Sequence, residues 1–96
     1  MVDLGIRGKL RPMVVVSRED PDVSRALALC VPLTTAYRES DYEVDIGKLT
    51  FLHHRSYANV QGLQSVQHHE LRGPLGRLGK DRMTMIREAL ARALEL

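Results

Sequence analysis

Arg11-Pro12-Met13-Val14-Val15-Val16-Ser17 (RPMVVVS) is the stretch whose reading decides the fold. Pro12 fixes its own φ and pushes Arg11 into an extended conformation. The apolar run over 13–16, with three consecutive valines, is short and β-branched, the pattern of a strand buried on both faces. Arg11 then stands at the start of that strand, on a stiff backbone at the rim of the fold. A guanidinium in that place is well set to meet an anion.

Working outward, Val2 and Leu4 alternate with Asp3, and residues 5–10 (GIRGKL) form a short Gly-containing connection with two cations. A hairpin from 2–4 into 12–17 is expected. Residues 17–22 (SREDPD) form a polar turn broken at Asp20-Pro21. Residues 25–34 (RALALCVPLT) alternate, with Leu27, Leu29, Val31 and Leu33 as the large, core-like face and Ala26, Ala28, Cys30, Pro32 and Thr34 opposite. Pro32 cannot donate to a ladder, which puts this strand at an edge or gives it a bulge near its end. Thr34 and Thr35 project from its terminus.

Tyr42, Val44 and Ile46 mark a short strand over 42–46, and 56–60 and 63–67 read as two strands parted at Gln61-Gly62. After a helical turn near 68–71, Gly73-Pro74, Gly76 and Gly79 keep the chain irregular to about Lys80. Met83, Ile86, Leu90 and Leu94 then recur at helical spacing with Ala89 and Ala93 beside them, and Asp81 suits the helix's positive end. A mostly β body closed by one C-terminal helix predicts a small, strongly bent antiparallel sheet or barrel, one domain over 1–96.

Composition bounds the function classes. A chain of 96 residues buries only about two-thirds of its unfolded surface, so a partner subunit is expected to add stability. No stretch reaches the ~18 apolar residues of a membrane helix, and no secretory leader is read. The single Cys30, core filler in an apolar strand, fits a reducing cytoplasm. A net charge of +2 leans towards an anionic partner, while one Phe, three Tyr and no Trp leave few rings for base stacking.

His53-His54 and His68-His69-Glu70 lack metal-ligand spacing, since neighbours on a strand face opposite ways, and no metal or cofactor is expected. His68 or His69 is a candidate proton carrier, because an imidazole titrates near neutrality; an exposed histidine in a polar turn is the simpler reading. Arg7 and Lys9 are candidate phosphate contacts, or else solvated loop cations.

Taken together, Val2-Asp3-Leu4-Gly5, then Gly8-Lys9-Leu10 leading into Arg11-Pro12-Met13-Val14-Val15-Val16-Ser17, then Val31-Pro32-Leu33-Thr34-Thr35, then a terminal helix resemble the MazF/PemK toxins of bacterial type II toxin–antitoxin pairs. The resemblance implies an SH3-like barrel of the CcdB/MazF/PemK type. It also implies a metal-independent endoribonuclease that cuts single-stranded RNA, mRNA included, and leaves a 2′,3′-cyclic phosphate and a 5′-hydroxyl. A homodimer is implied, held in check by a partly disordered, MazE-like cognate antitoxin. Arg11 matches the family's catalytic arginine and Thr34 its phosphate-contacting threonine, with Arg7, Lys9, Thr35, Gln64, Gln67 and His68 as candidate RNA contacts.

Those roles agree with the side-chain chemistry. Attack by a 2′-hydroxyl loads negative charge onto the phosphorus oxygens, and a guanidinium donates two parallel hydrogen bonds to them. A threonine hydroxyl adds a neutral donor. Two departures stand out. Where many relatives carry Arg-Thr-x-Asp, this chain has Gln64-Ser65-Val66-Gln67, whose amides bond bases or phosphates but cannot act as a base near pH 7. The first strand is also shorter than in relatives, with only 2–5 of it present, so a truncated first strand is expected. A non-catalytic SH3-like module binding RNA or antitoxin is the competing reading. A gyrase-poisoning CcdB-like toxin is a further one, set back by the absence of tryptophan and the ending Leu94-Glu95-Leu96, where that family has Trp-Gly-Ile.

Overall fold

A computed structural model describes residues 4–7, 11–17, 27–49, 54–67 and 70–96. Its elements are β1 (Leu4–Arg7), β2 (Arg11–Val15), β3 (Leu27–Thr34), β4 (Glu43–Gly47), β5 (Ser56–Asn59), a 3₁₀ turn (Val60–Gly62), β6 (Gln64–Gln67), β7 (Leu71–Gly76) and α1 (Lys80–Leu94). The strands run β4-β5-β3-β2-β1-β7 across one antiparallel sheet, with β6 also paired to β3. The mainly β architecture with one C-terminal helix is as expected. Among the described residues the ladder remains an open, bent sheet flanked by β4 and β7 instead of closing into a barrel.

The opening hairpin forms, and its first strand runs on from Leu4 to Arg7; residues 2 and 3 of the expected strand lie outside the described residues. The ladder runs from Leu4 opposite Val14 to Arg7 opposite Arg11, so part of the expected connection is strand. Met13 and Val14, neighbours in β2, are both buried, as a strand covered on two faces requires.

β3 is central, which corrects the edge reading of Pro32. Along one side Val15, Val14 and Met13 of β2 oppose Cys30, Val31 and Pro32. Along the other, Leu27–Cys30 pair with β6 and Leu33–Thr34 with β5. Pro32 lies between those two partners, where the 3₁₀ turn interrupts the neighbouring strand, so its missing N–H falls at the bulge alternative. Gly62 is what lets that turn approach: a Cβ there would stand 2.6 Å from Cγ of Pro32.

Two apolar clusters hold the sheet, one on each face. Val14, Val31, Val44, Ile46, Ala58 and Val60 meet Leu78, Met83, Ile86 and Ala89 beneath α1. Met13, Ala28, Cys30 and Val66 form the other, with Val15 and Leu71 against them. The leucines of β3 were expected inside; instead Leu27 and Leu29 are 54% and 43% exposed, while Ala28 and Cys30 are buried. The helix covers its face of the sheet only as far as Val31, and the small side chains of the opposite face fit the tighter second cluster. Leu94, expected in the helix stripe, is exposed as well, while Leu90 and Ala93 of the same end pack against the cluster.

β7 corrects the expectation of an irregular stretch before the helix. Its sequence LRGPLG lacks alternation, yet it pairs with β1 at Leu4–Gly76, Ile6–Arg72 and Arg7–Leu71, with a bulge between. An edge strand tolerates Pro74, because one side of its backbone needs no partner.

Candidate functional site

The antiparallel order brings three strand ends to one rim: β1 ends at Arg7, β2 begins at Arg11 and β3 ends at Thr34. Arg7 and Arg11 oppose each other directly. Because Met13 opposes Pro32, the same register carried two positions towards the rim sets Arg11 level with Thr34. Adjacent strands lie about 4.8 Å apart, so Arg7, Arg11 and Thr34 are successive steps along that rim. Lys9 and His68, like His53 and His69, lie outside the described residues.

A groove of about 470 Å³ opens there, lined by Pro12, Pro32, Leu33, Thr34, Thr35, Ser56 and Asn59. The two prolines stiffen its floor, and the hydroxyls and the amide supply neutral hydrogen-bonding groups. Thr34 and Asn59 also line a neighbouring hollow of about 220 Å³, together with Ala36, Arg38, Ser40, Glu43 and Gln61. Thr34 and Asn59 thus stand between the two spaces. Oγ1 of Thr34 accepts the Ala36 N–H at 3.1 Å, which leaves its own proton to donate.

The wall of the smaller hollow is fixed by side chains that accept backbone N–H groups. Oε1 of Glu43 accepts from Arg38 and from Ser40, both at 3.1 Å, and bridges Glu39, whose φ of 57° is left-handed. Oγ of Ser40 accepts from Tyr42, and Oδ1 of Asn59 caps the 3₁₀ turn by accepting from Gln61. Asn59 is a groove residue that sequence reading passed over, although an Asn directly before the turn it caps is a recognisable signal. Ser56, also unforeseen, is buried and donates to the His54 carbonyl at 3.1 Å.

The two glutamines lie elsewhere. Gln64 opposes Cys30 and Gln67 opposes Leu27, the far end of β3. Seven strand steps of ~3.3 Å put Gln67 roughly 23 Å from Thr34 along the sheet. Thr35, by contrast, is exposed on the groove itself.

Electrostatics near the rim's flank centre on Asp45, whose Oδ2 receives Nη2 of Arg55 at 2.7 Å. That hydrogen bond holds the Asp45 carboxyl below its ordinary pKa, against the opposing effect of burial, and raises that of Arg55. Nη1 of Arg82 donates to the Asp45 carbonyl and ties α1 to β4. Among the described residues no three His, Cys, Asp or Glu side chains gather where they could hold a metal ion. No helix among them is long and apolar enough to cross a membrane.

Comparison with known proteins places this arrangement. The sequence profile of the PemK-like, MazF-like toxins of type II toxin–antitoxin systems matches residues 2–94. An endoribonuclease in complex with its cognate antitoxin, from a mycobacterial species, superposes with a TM-score of 0.83 at 28% identity, over 100% of this chain and 95% of that one. The Mycobacterium tuberculosis toxin MazF-mt6 gives 0.82 at 22% identity, over 98% and 97%. A MazE–MazF structure from Deinococcus radiodurans gives 0.81 at 20% identity, over 98% and 92%. A search among curated proteins found no match.

Proposed function

This chain belongs to the PemK-like, MazF-like toxins of type II toxin–antitoxin systems, a family of endoribonucleases, and from that premise we propose that it cuts single-stranded RNA at the rim of β1, β2 and β3. The observation that carries the reading is the rim itself: Pro12 and Thr34 line one groove, and the register sets Arg11 level with Thr34. The 2′-hydroxyl attacks the adjacent phosphorus, the bond to the 5′-oxygen breaks, and a 2′,3′-cyclic phosphate and a 5′-hydroxyl result. The 2′-proton leaves as the nucleophile attacks, and the departing 5′-oxygen gains one. Arg11 and Thr34 stabilise the charge that builds on the phosphorus oxygens between those events. Arg7, Lys9 and Thr35 hold the phosphates on either side, and Gln64, Gln67 and His68 are further RNA contacts.

The toxin works as one domain over 1–96, as a homodimer in the cytoplasm, with a MazE-like antitoxin occupying the RNA surface. The test is incubation with mixed-sequence single-stranded RNA in excess EDTA. Cyclic-phosphate ends should form, and Arg11→Ala should slow cleavage by about 10²–10³ with the circular dichroism unchanged. Thr34→Val should act in the same direction. Intact RNA retained on the protein would instead favour the non-catalytic binding module, a reading kept alive by the unionisable Gln64-Ser65-Val66-Gln67 segment.

A further inference from the structure

Directly across the ladder from Thr34 stands Tyr57. Residues so opposed share a face of the sheet, with Cβ atoms about 5 Å apart. Tyr37 lies on Tyr57 ring to ring, centroids 4.5 Å apart and planes 13° from parallel. Tyr57 is half-buried, whereas Tyr37 remains 50% exposed. The chain holds only three tyrosines and one phenylalanine, and two of those rings are gathered beside this one threonine.

The segment that presents Tyr37 is held on both sides of the ring. Ala36 donates to Thr34, and Arg38 and Ser40 donate to Glu43. Packing does not account for this, because residues 35–39 are all exposed. What the hydrogen bonds achieve is a fixed aromatic plane, set on a second ring, next to a hydroxyl with a proton to donate. A ring fixed in advance costs a ligand less ordering entropy on binding.

We propose that the Tyr37–Tyr57 stack is a base platform, on which the outer ring of Tyr37 takes the nucleobase next to the phosphate held at Thr34. The proposal rests on the reading of the rim as the RNA-cleaving site. It adds a positioning element whose chemistry is π-stacking on a single-stranded base. Every base has a π-face, so the platform sets where the backbone lies and leaves base identity to other groups. Glu43 acts through the segment it pins and is a positioning residue.

The experiment starts with cut sites mapped for the wild-type chain in mixed-sequence RNA. A short oligonucleotide around one site is made uncleavable with a 2′-deoxy nucleotide. It is then prepared with the base on either side of the scissile phosphate present or removed. Tyr37→Ala should bind the intact oligonucleotide about 5- to 150-fold more weakly, the range for one base–aromatic stack. Tyr37→Phe, which keeps the ring, should bind as the wild type does. Removing the platform's base should weaken the wild type by a similar factor and Tyr37→Ala hardly at all. On cleavable RNA the loss should fall on KM and leave kcat close to its wild-type value.

An equal penalty for base removal in wild type and Tyr37→Ala, on both sides of the phosphate, would overturn the platform. A fluorescent 2-aminopurine in place of the stacked base gives a readout that needs no variant, and unquenched emission on binding would overturn it too. Wild-type protein that leaves RNA uncut refutes the cleavage reading itself; wild-type protein that cuts without coupling between Tyr37 and a base refutes the platform alone.

Discussion

The two halves of β3 carry one alternation of large and small side chains and bury opposite members of it. In the first half the small residues Ala28 and Cys30 are inside and the leucines face out. In the second half Val31 is buried and Leu33 packs, partly buried, against the same cluster. The neighbouring strand changes at the same point, from β6 to β5. Coverage is the cause: α1 packs on β4 and the 3₁₀ turn, so Ile86 and Ala89 close the face over Val31. Over the first half, Met13, Val66 and Leu71 close the opposite face instead. Alternation tells which residues share a face, and the elements that arrive from elsewhere decide which face is covered.

Substitutions can break that contrast in graded steps. Ile86→Ala, which empties the lid over the second half, should cost about 2–5 kcal/mol in urea unfolding. Gly62→Ala strikes the junction between the halves. Its methyl would press on the Pro32 ring, and a loss of about 1–3 kcal/mol is expected, larger than the entropic gain of ~0.4–1 kcal/mol from stiffening the unfolded chain. A Gly62→Ala protein as stable as the wild type would mean that the turn and the central strand are less tightly apposed than the contact implies. Leu29→Ala, in the first half, should change stability by no more than about 0.5 kcal/mol, since the side chain is already in solvent.

The smallest effect belongs to the Asp45–Arg55 pair, which is largely exposed and screened. Asp45 has a lowered pKa in the fold, so its contribution is present above the ordinary aspartate value of 3.8 and fades as the pH falls through the folded value. Arg55→Ala should therefore be slightly less stable than the wild type at neutral pH and equal to it in acid. Thermal unfolding at a series of pH values checks the sign.

The same contrast explains what could be read from the chain alone. α1 was legible because Met83, Ile86 and Ala89 repeat within one helix and need no partner to reveal their period. The break between β5 and β6 was legible at Gln61-Gly62, and the rim residues Arg11 and Thr34 announced themselves through the adjacent Pro12 and Pro32-Leu33. β7 was hidden, because Leu71–Gly76 has no alternation and is a strand only by virtue of pairing with β1. The burial of Ala28 over Leu27 was hidden too, being decided by residues distant in sequence. Within the site, Asn59 carried a local capping signal that went unused. The Tyr37–Tyr57 stack had none, since it exists only once residues 35–40 fold back over the sheet.

The hydrogen bond from Ala36 to Thr34 has a practical consequence. One oxygen both ends a strand and faces the groove, so any group that takes the hydroxyl proton will polarise the lone pair that the amide reads. The Ala36 amide resonance is therefore a native spectroscopic reporter of occupancy at that oxygen, visible to NMR without label or mutation in the site. Thr34→Ser should preserve the signal's response, and Thr34→Val should silence it.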